Sequence, residues 1–250
     1  MGSTSETGHA KNVANFEQLT LSCTSFGAAY NPVNRALSVG SITAASQEAA
    51  QVMASVLSAR AVLKGAVTER NVVFEPLSGL ATRIGNAVKS SGCAQQTIEQ
   101  VVSIIRKIQG RRATPRVSEE EQQAAVTEGT EIVTRSSSQM SFTSRIENFD
   151  ALIRLLETIS EYTPNETDLT LVSLQALHLD LKTKNIAVLN AEIALDNLRS
   201  QRDDLLYSKT TGIVDKAVAI KAYIKSVFGA TSTQYKQVSS LRFTRPQTKP

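Results

Sequence analysis

Two histidines, His9 and His178, and two cysteines, Cys23 and Cys93, are the whole supply of soft metal ligands and imidazole bases in this chain of 250 residues. Four such residues, so widely separated, match no zinc-ligand spacing and no disulfide framework. His9 falls in a segment, 1–12, that is expected to be disordered. His178 sits between Leu177 and Leu179 in a long helical run, where an imidazole usually serves packing. The Asp203-Asp204 pair beside Arg202 reads as a solvated helix face rather than an acid/base couple. No glycine-rich phosphate loop, His-Glu-x-x-His, Glu-x-x-His or Ser/His/Asp arrangement occurs. The expectation is a non-enzymatic protein with no catalytic residue, no metal site and no cofactor.

Basic side chains gather in two places: Arg106, Lys107, Arg111, Arg112 and Arg116, and then Lys236, Arg242, Arg245 and Lys249. Clusters of this density suit sequence-independent contact with phosphates, so nucleic acid is one candidate partner. The net charge of +4 is modest, and residues 148–244 hold 11 basic and 11 acidic side chains, which implies no broad positive face. Lys216, Lys221 and Lys225 lie opposite Ile213, Ala217, Ile220, Ile224 and Phe228, a pattern that fits a membrane interface but is more simply a core-facing stripe with solvated lysines. No run of 18 apolar residues and no basic-then-apolar leader is present. A soluble, cytoplasmic protein is therefore expected, with no membrane partner.

The elements that must position these residues are organised by a self-match. Asn15-Phe16 and Leu19 recur as Asn148-Phe149 and Leu152. Tyr30-Asn31-Pro32 recurs as Tyr162-Thr163-Pro164, after which Leu37, Ser41, Ala44, Val56, Leu57, Ala59, Leu63 and Arg70 match Leu169, Ser173, Ala176, Val188, Leu189, Ala191, Leu195 and Arg202 at a constant offset. Gly79 pairs with Gly212, Gly92 with Gly229, and Gln100-Val101-x-Ser103 with Gln237-Val238-x-Ser240. The implied organisation is a disordered start (1–12), a helical repeat (13–108), a flexible charged linker (109–145), a second helical repeat (146–244) and a basic tail (245–250).

Within each copy, apolar residues repeat at heptad spacing. Leu174, Leu177, Leu181, Val188, Ala191, Leu195, Leu198 and Leu205 form one seam, and Ile42, Ala45, Ala49, Val52, Val56, Ala59, Leu63 and Ala66 the other. Such a seam predicts helices from Pro32 to Glu75 and from Pro164 to Tyr207, roughly 60 Å long. Pro32 and Pro164 are expected at the first helical position, with Thr163 as an N-cap. Gly79 and Gly212 mark the reversal after each long helix, and Gly92 and Gly229 stop the helix that follows. Arg70 and Arg202, at core-type seam positions, are expected to set register and partner number.

The Tyr-x-Pro turn, the Thr-Gly reversal and the closing Gly-Ala-Thr-Ser-x-Gln-Tyr-Lys-Gln-Val of residues 229–238 resemble a group of bacterial tandem-duplicated helical proteins. The resemblance implies a two-repeat helical fold and transfers no activity. The expected fold is all-α: an antiparallel bundle of long coiled-coil-like helices, built from two tandem pseudo-symmetric repeats, each long helix covered by its own short ones. Its expected role is structural or scaffolding, with another copy or another helical protein as partner, through the long seams.

Overall fold

In a computed structural model, residues 4–111 and 140–246 are described, and among them helix is the only regular secondary structure. The α-helices are α1 (Thr4–Ser25), α2 (Val39–Phe74), α3 (Leu77–Ser90), α4 (Gln95–Ile108), α5 (Phe142–Glu157), α6 (Leu171–Tyr207), α7 (Ile213–Phe228) and α8 (Thr233–Ser239). The two long helices, of 36 and 37 residues, span about 55 Å at 1.5 Å per residue.

Both long helices begin later than the prolines suggest. Each is preceded by a short 3-10 turn, Arg35–Leu37 before α2 and Thr167–Leu169 before α6. A tyrosine pins each turn: the Tyr30 hydroxyl donates to the Leu37 carbonyl and the Tyr162 hydroxyl to the Leu169 carbonyl, both at 2.8 Å. Pro32 and Pro164 thus lie in the pinned loop rather than in the first helical turn. The caps are Ser38 and Thr170, whose side-chain oxygens accept from the amides of Ser41 and Ser173, each at 3.4 Å. Such caps satisfy amides that have no partner within the helix.

The first reversal differs from expectation, and the second stands where it was expected. Gly79 lies inside α3, where an added Cβ would meet nothing within 4 Å, and the turn is made by Glu75 and Pro76, with Pro76 as N-cap. Gly212 is the N-cap of α7, and a Cβ there would sit 2.6 Å from the Ser208 carbonyl oxygen, so this position requires glycine. Gly92 and Gly229 follow and end α3 and α7 with φ of +82° and +87°, backbone that L side chains avoid.

The chain forms two compact units, one made of Met1–Leu63 with Ala191–Pro250, the other of Lys64–Asn190. The division falls inside both long helices, between Leu63 and Lys64 in α2 and between Asn190 and Ala191 in α6. In the first unit, α1 packs on α7 and α8, and Phe16, Leu19 and Cys23 are fully buried with Ile213, Ala217, Ile220, Ile224 and Val238. In the second, α5 packs on α4, which packs on α3, around Phe149, Leu152, Leu156, Leu77, Ile84, Val88 and Ile108. Each early short helix thus shares its core with the closing helices of the other stretch as well as with residues of its own, Leu37, Ile42, Ala45 and Ala49 for α1 and Leu169, Leu174 and Leu181 for α5. The apolar stripe of α7 faces this core. No helix among the described residues is long and apolar enough to cross a membrane.

The segment 1–12 is also corrected: from Thr4 onward it belongs to α1. His9 and Asn12 are buried there by polar partners that the sequence does not place nearby. At the other boundary α5 starts at Phe142, capped by Ser141, whose hydroxyl accepts from the Ser144 amide at 3.0 Å. Most of the expected linker, 112–139, lies outside the described residues, as does the end of the basic tail, 247–250.

This division has a direct consequence for fragments. Residues 1–111 and 140–250, prepared separately, each lack half of both cores and are expected to show little cooperative melting by circular dichroism. Mixing them restores it. The contiguous fragment Lys64–Asn190 contains the whole second core and is expected to melt cooperatively alone; cooperative melting of both halves in isolation would contradict this assembly.

Candidate functional site

The two basic clusters differ in how far they are open to a ligand. Arg106 and Lys107 are half-buried in the last turn of α4, and Arg111 is exposed just after it. Arg112, Arg116 and Lys249 lie outside the described residues. Lys236 and Arg242 are exposed. Arg245 is engaged within the chain: its guanidinium donates to the Tyr207 carbonyl and to the Asp215 carboxylate, each at 2.6 Å. The Thr210 amide donates to the same carboxylate at 2.9 Å. This amide, and then Arg245, hold the Asp215 carboxyl below its usual range.

A polar network in the first unit ties α1 to the end of α6 and to the C-terminal segment. The Tyr207 hydroxyl lies 2.7 Å from His9 Nδ1 and accepts from Asn12 Nδ2 at 3.2 Å. Asn12 also brackets Thr244, donating to its carbonyl at 2.7 Å and accepting from its amide at 3.0 Å. Asn15 donates to the Arg242 carbonyl at 2.6 Å. Arg202, only 5% exposed, donates through Nε to Asp203 at 2.9 Å, and His9 Nε2 lies 4.0 Å from the same carboxylate oxygen.

In the second unit, aromatic rings surround the arginine near the end of α2. Phe142, at the start of α5, meets Phe74 edge-on at 4.8 Å between ring centroids. The Arg70 guanidinium lies 3.8 Å above the Phe142 ring and donates to the buried Asn185 at 3.3 Å. Arg145 donates to the Phe74 carbonyl at 3.2 Å and lies 5.3 Å from the Phe74 ring, with burial lowering its pKa. Cations over aromatic faces gain about 0.5–2 kcal/mol each, depending on desolvation. Glu69 and Lys184 pair at 2.8 Å beside this cluster. The sequence singles out Arg70 and Arg202 but not Asn12, Tyr207, Phe142, Arg145 or Asn185. A signal is present in it: the offset that pairs Phe16 with Phe149 also pairs His9 with Phe142 and Asn12 with Arg145, positions that would face the end of a long helix.

These arrangements tie the helices of each unit together. Burial pushes the Cys23 thiol up to about 11, which leaves it a neutral core group. His178 Nδ1 lies 3.9 Å from Asp150, which also pairs with Arg154. A hollow of about 730 Å³ is lined by Arg83, Asn86, Tyr162 and Glu166, but Arg83 is held bidentately by Asp168. Among the described residues, no group of three His, Cys, Asp or Glu side chains is placed to hold a metal ion.

The surface of α6 carries a different kind of feature. Leu174, Leu181, Val188 and Leu195, at heptad spacing, are at most 2% exposed and so are covered by this chain. Two residues earlier in each heptad stand Val172, Leu179, Ile186 and Ile193, which are 45–75% exposed. A two-residue step turns about 200° around an α-helix, so the second row faces away from the buried one. Leu189, 47% exposed, lies beside it. Surface aliphatics scattered singly are ordinary, whereas these recur at seven-residue spacing along one helix.

Compared with protein-family models, characterised proteins and solved structures, the chain matches none.

The polar contacts of the first unit set two expectations. Tyr207→Phe removes the hydroxyl that His9 and Asn12 share, and is expected to cost about 1–3 kcal/mol in urea unfolding, because buried polar groups lose a partner. Asp215 has a folded pKa below its ordinary value of 3.8. Its contribution to stability is present above that value and lost as the pH falls through the lower, folded one. Asp215→Asn is therefore expected to melt earlier than the parent at pH 7, with the difference closing below about pH 4; a constant difference down to pH 2 would contradict this.

Proposed function

We propose that this chain is a non-enzymatic, cytoplasmic structural or scaffolding protein that associates, with its own copies or another helical protein, through its long helices. We further propose that it is a tandem duplication, folded as a pseudo-symmetric antiparallel bundle. Support for the duplication comes from paired details: the two tyrosine-pinned turns, the Ser38 and Thr170 caps, and the fully buried pairs Phe16 with Phe149 and Leu19 with Leu152.

The observation that carries the functional reading is the exposed row Val172, Leu179 and Ile186 on the part of α6 that belongs to the second unit. The seam that periodicity suggests for association is covered within the chain, so the docking role moves to the opposite side of α6. Covering exposed aliphatic surface stabilises an assembly by roughly 25 cal/mol per Å², and this contribution depends little on salt.

The rival reading, contact with nucleic acid through the basic ends, loses Arg245 to its internal partners and keeps Lys236 and Arg242 in that cluster. Phosphate contacts weaken steeply with salt. The test is solution mass by light scattering over a dilution series, at low and at physiological salt, on protein free of nucleic acid by its absorbance ratio. A discrete dimer or larger species at both salts is expected. A strict monomer that co-purifies with nucleic acid at low salt and sheds it at high salt would replace this reading with its rival.

A further inference from the structure

We propose that the hollow beside Tyr162, within the second unit, binds a small aromatic cation: a phenol that carries a protonated amine. None of the exposed row of α6 lines this hollow, so its use does not depend on self-association.

The first unit shows what fills the equivalent place there. Tyr30 and Tyr162 pin their turns in the same way, each through its hydroxyl to a carbonyl seven residues on. The helices that close each core also share a pattern. In α7 the buried residues include Ile213, Ala217, Ile220 and Ile224, and in α3 they include Leu77, Ala81, Ile84 and Val88, at the same intervals. The residue before Ile224 is Tyr223, whose ring meets Tyr30 edge-on at 5.3 Å and whose hydroxyl accepts from the Asn31 amide at 3.1 Å. The residue before Val88 is Ala87. Likewise α7 ends on Phe228, which packs on Phe26 at 5.4 Å between centroids, whereas α3 ends on Ser90. Where the first unit has two aromatic rings the second has two small side chains, and Ala87, Ser90 and Tyr162 line a hollow of about 730 Å³. That volume lies within the range of small-molecule sites.

The lining also has a sign. Its charged residues are Arg83, Glu161 and Glu166, and Arg83 is already held by both oxygens of Asp168. The two glutamates are exposed and leave the rim with an excess of negative charge, which draws a cation and turns away a carboxylate. Asn86 and Asn165 present side-chain amides that suit a hydroxyl, the part that the Asn31 amide plays for Tyr223. A ring standing as Tyr223 does meets Tyr162 edge-on, an arrangement that aromatic pairs favour.

The test is isothermal titration calorimetry on the full chain with three probes. Tyramine is the cationic phenol, phenethylamine the same cation without the hydroxyl, and 4-hydroxyphenylacetate a phenol of opposite charge. Tyramine is expected to bind saturably at a single site, with phenethylamine about threefold and 4-hydroxyphenylacetate about tenfold weaker. Ala87→Tyr places a ring in the hollow from within the chain and is expected to weaken tyramine about tenfold, while Ala87→Ser stays within about twofold of the parent. Ser90→Phe, at an exposed helix end, fills the same space without entering the core and is expected to act as Ala87→Tyr does. Glu161→Gln combined with Glu166→Gln removes most of the preference for tyramine over 4-hydroxyphenylacetate. Circular dichroism checks that each variant keeps its helix content. No saturable tyramine binding, or binding that Ala87→Tyr and Ser90→Phe both leave unchanged, overturns the site. Binding that both substitutions block but that is equal for the three probes overturns the cationic phenol as its ligand.

Discussion

The complete burial of two phenylalanines, Phe16 on α1 and Phe149 on α5, is the constraint around which the rest is arranged. Deleting a phenylalanine ring from a packed core costs about 3–5 kcal/mol, a large part of the stability of a unit this size. Neither helix can cover its own apolar face, and many of the residues that do so lie far away in sequence. Around Phe16 these are Ile213, Ala217, Ile220 and Ile224 of α7 and Val238 of α8; around Phe149 they are Ile105 and Ile108 of α4 with Ile84 and Val88 of α3. Each core thus joins an early helix of one stretch to the closing helices of the other. The compact units consequently cut across the stretches 13–108 and 146–244.

An arginine near the end of each long helix is accommodated in a different way. Arg202 is almost fully buried beside Asp203, close to His9, Asn12 and Tyr207. Arg70 lies against Phe142, with Asn185 as a neutral acceptor. In the first case hydrogen bonds and a carboxylate offset the desolvation of the guanidinium; in the second an aromatic face supplies much of the compensation. The hydrogen-bonded answer also anchors the C-terminal segment, since Asn12 holds Thr244 and the Tyr207 carbonyl accepts from Arg245. This is why Arg245, near the end of the chain and on its surface, is already occupied by contacts within it.

On α6, a regular helix presents two heptad rows about 200° apart, one buried and one exposed. Both rows are aliphatic, and hydrophobicity alone does not separate them. The difference is in what surrounds each residue type in three dimensions: Leu181 and Val188 meet side chains of this chain, and Leu179 and Ile186 meet solvent.

From the sequence alone came the helical class, the long seams, the positive-φ glycines 92 and 229 that end α3 and α7, and the buried stripe of α7. These follow from local periodicity and backbone preference, which act over a few turns and are written in neighbouring residues. The expected cap at Thr163 and the reversal at Gly79 were misplaced because a tyrosine seven residues from its acceptor, and a proline N-cap, replaced the local signals. The burial of His9 and Asn12, the occupation of Arg245, and the choice of which heptad row is covered depended on residues far apart in the chain. Those were decided only by tertiary structure, because the energy of burying a group is set by what surrounds it, and the sequence order of a helix does not say which surfaces will meet it.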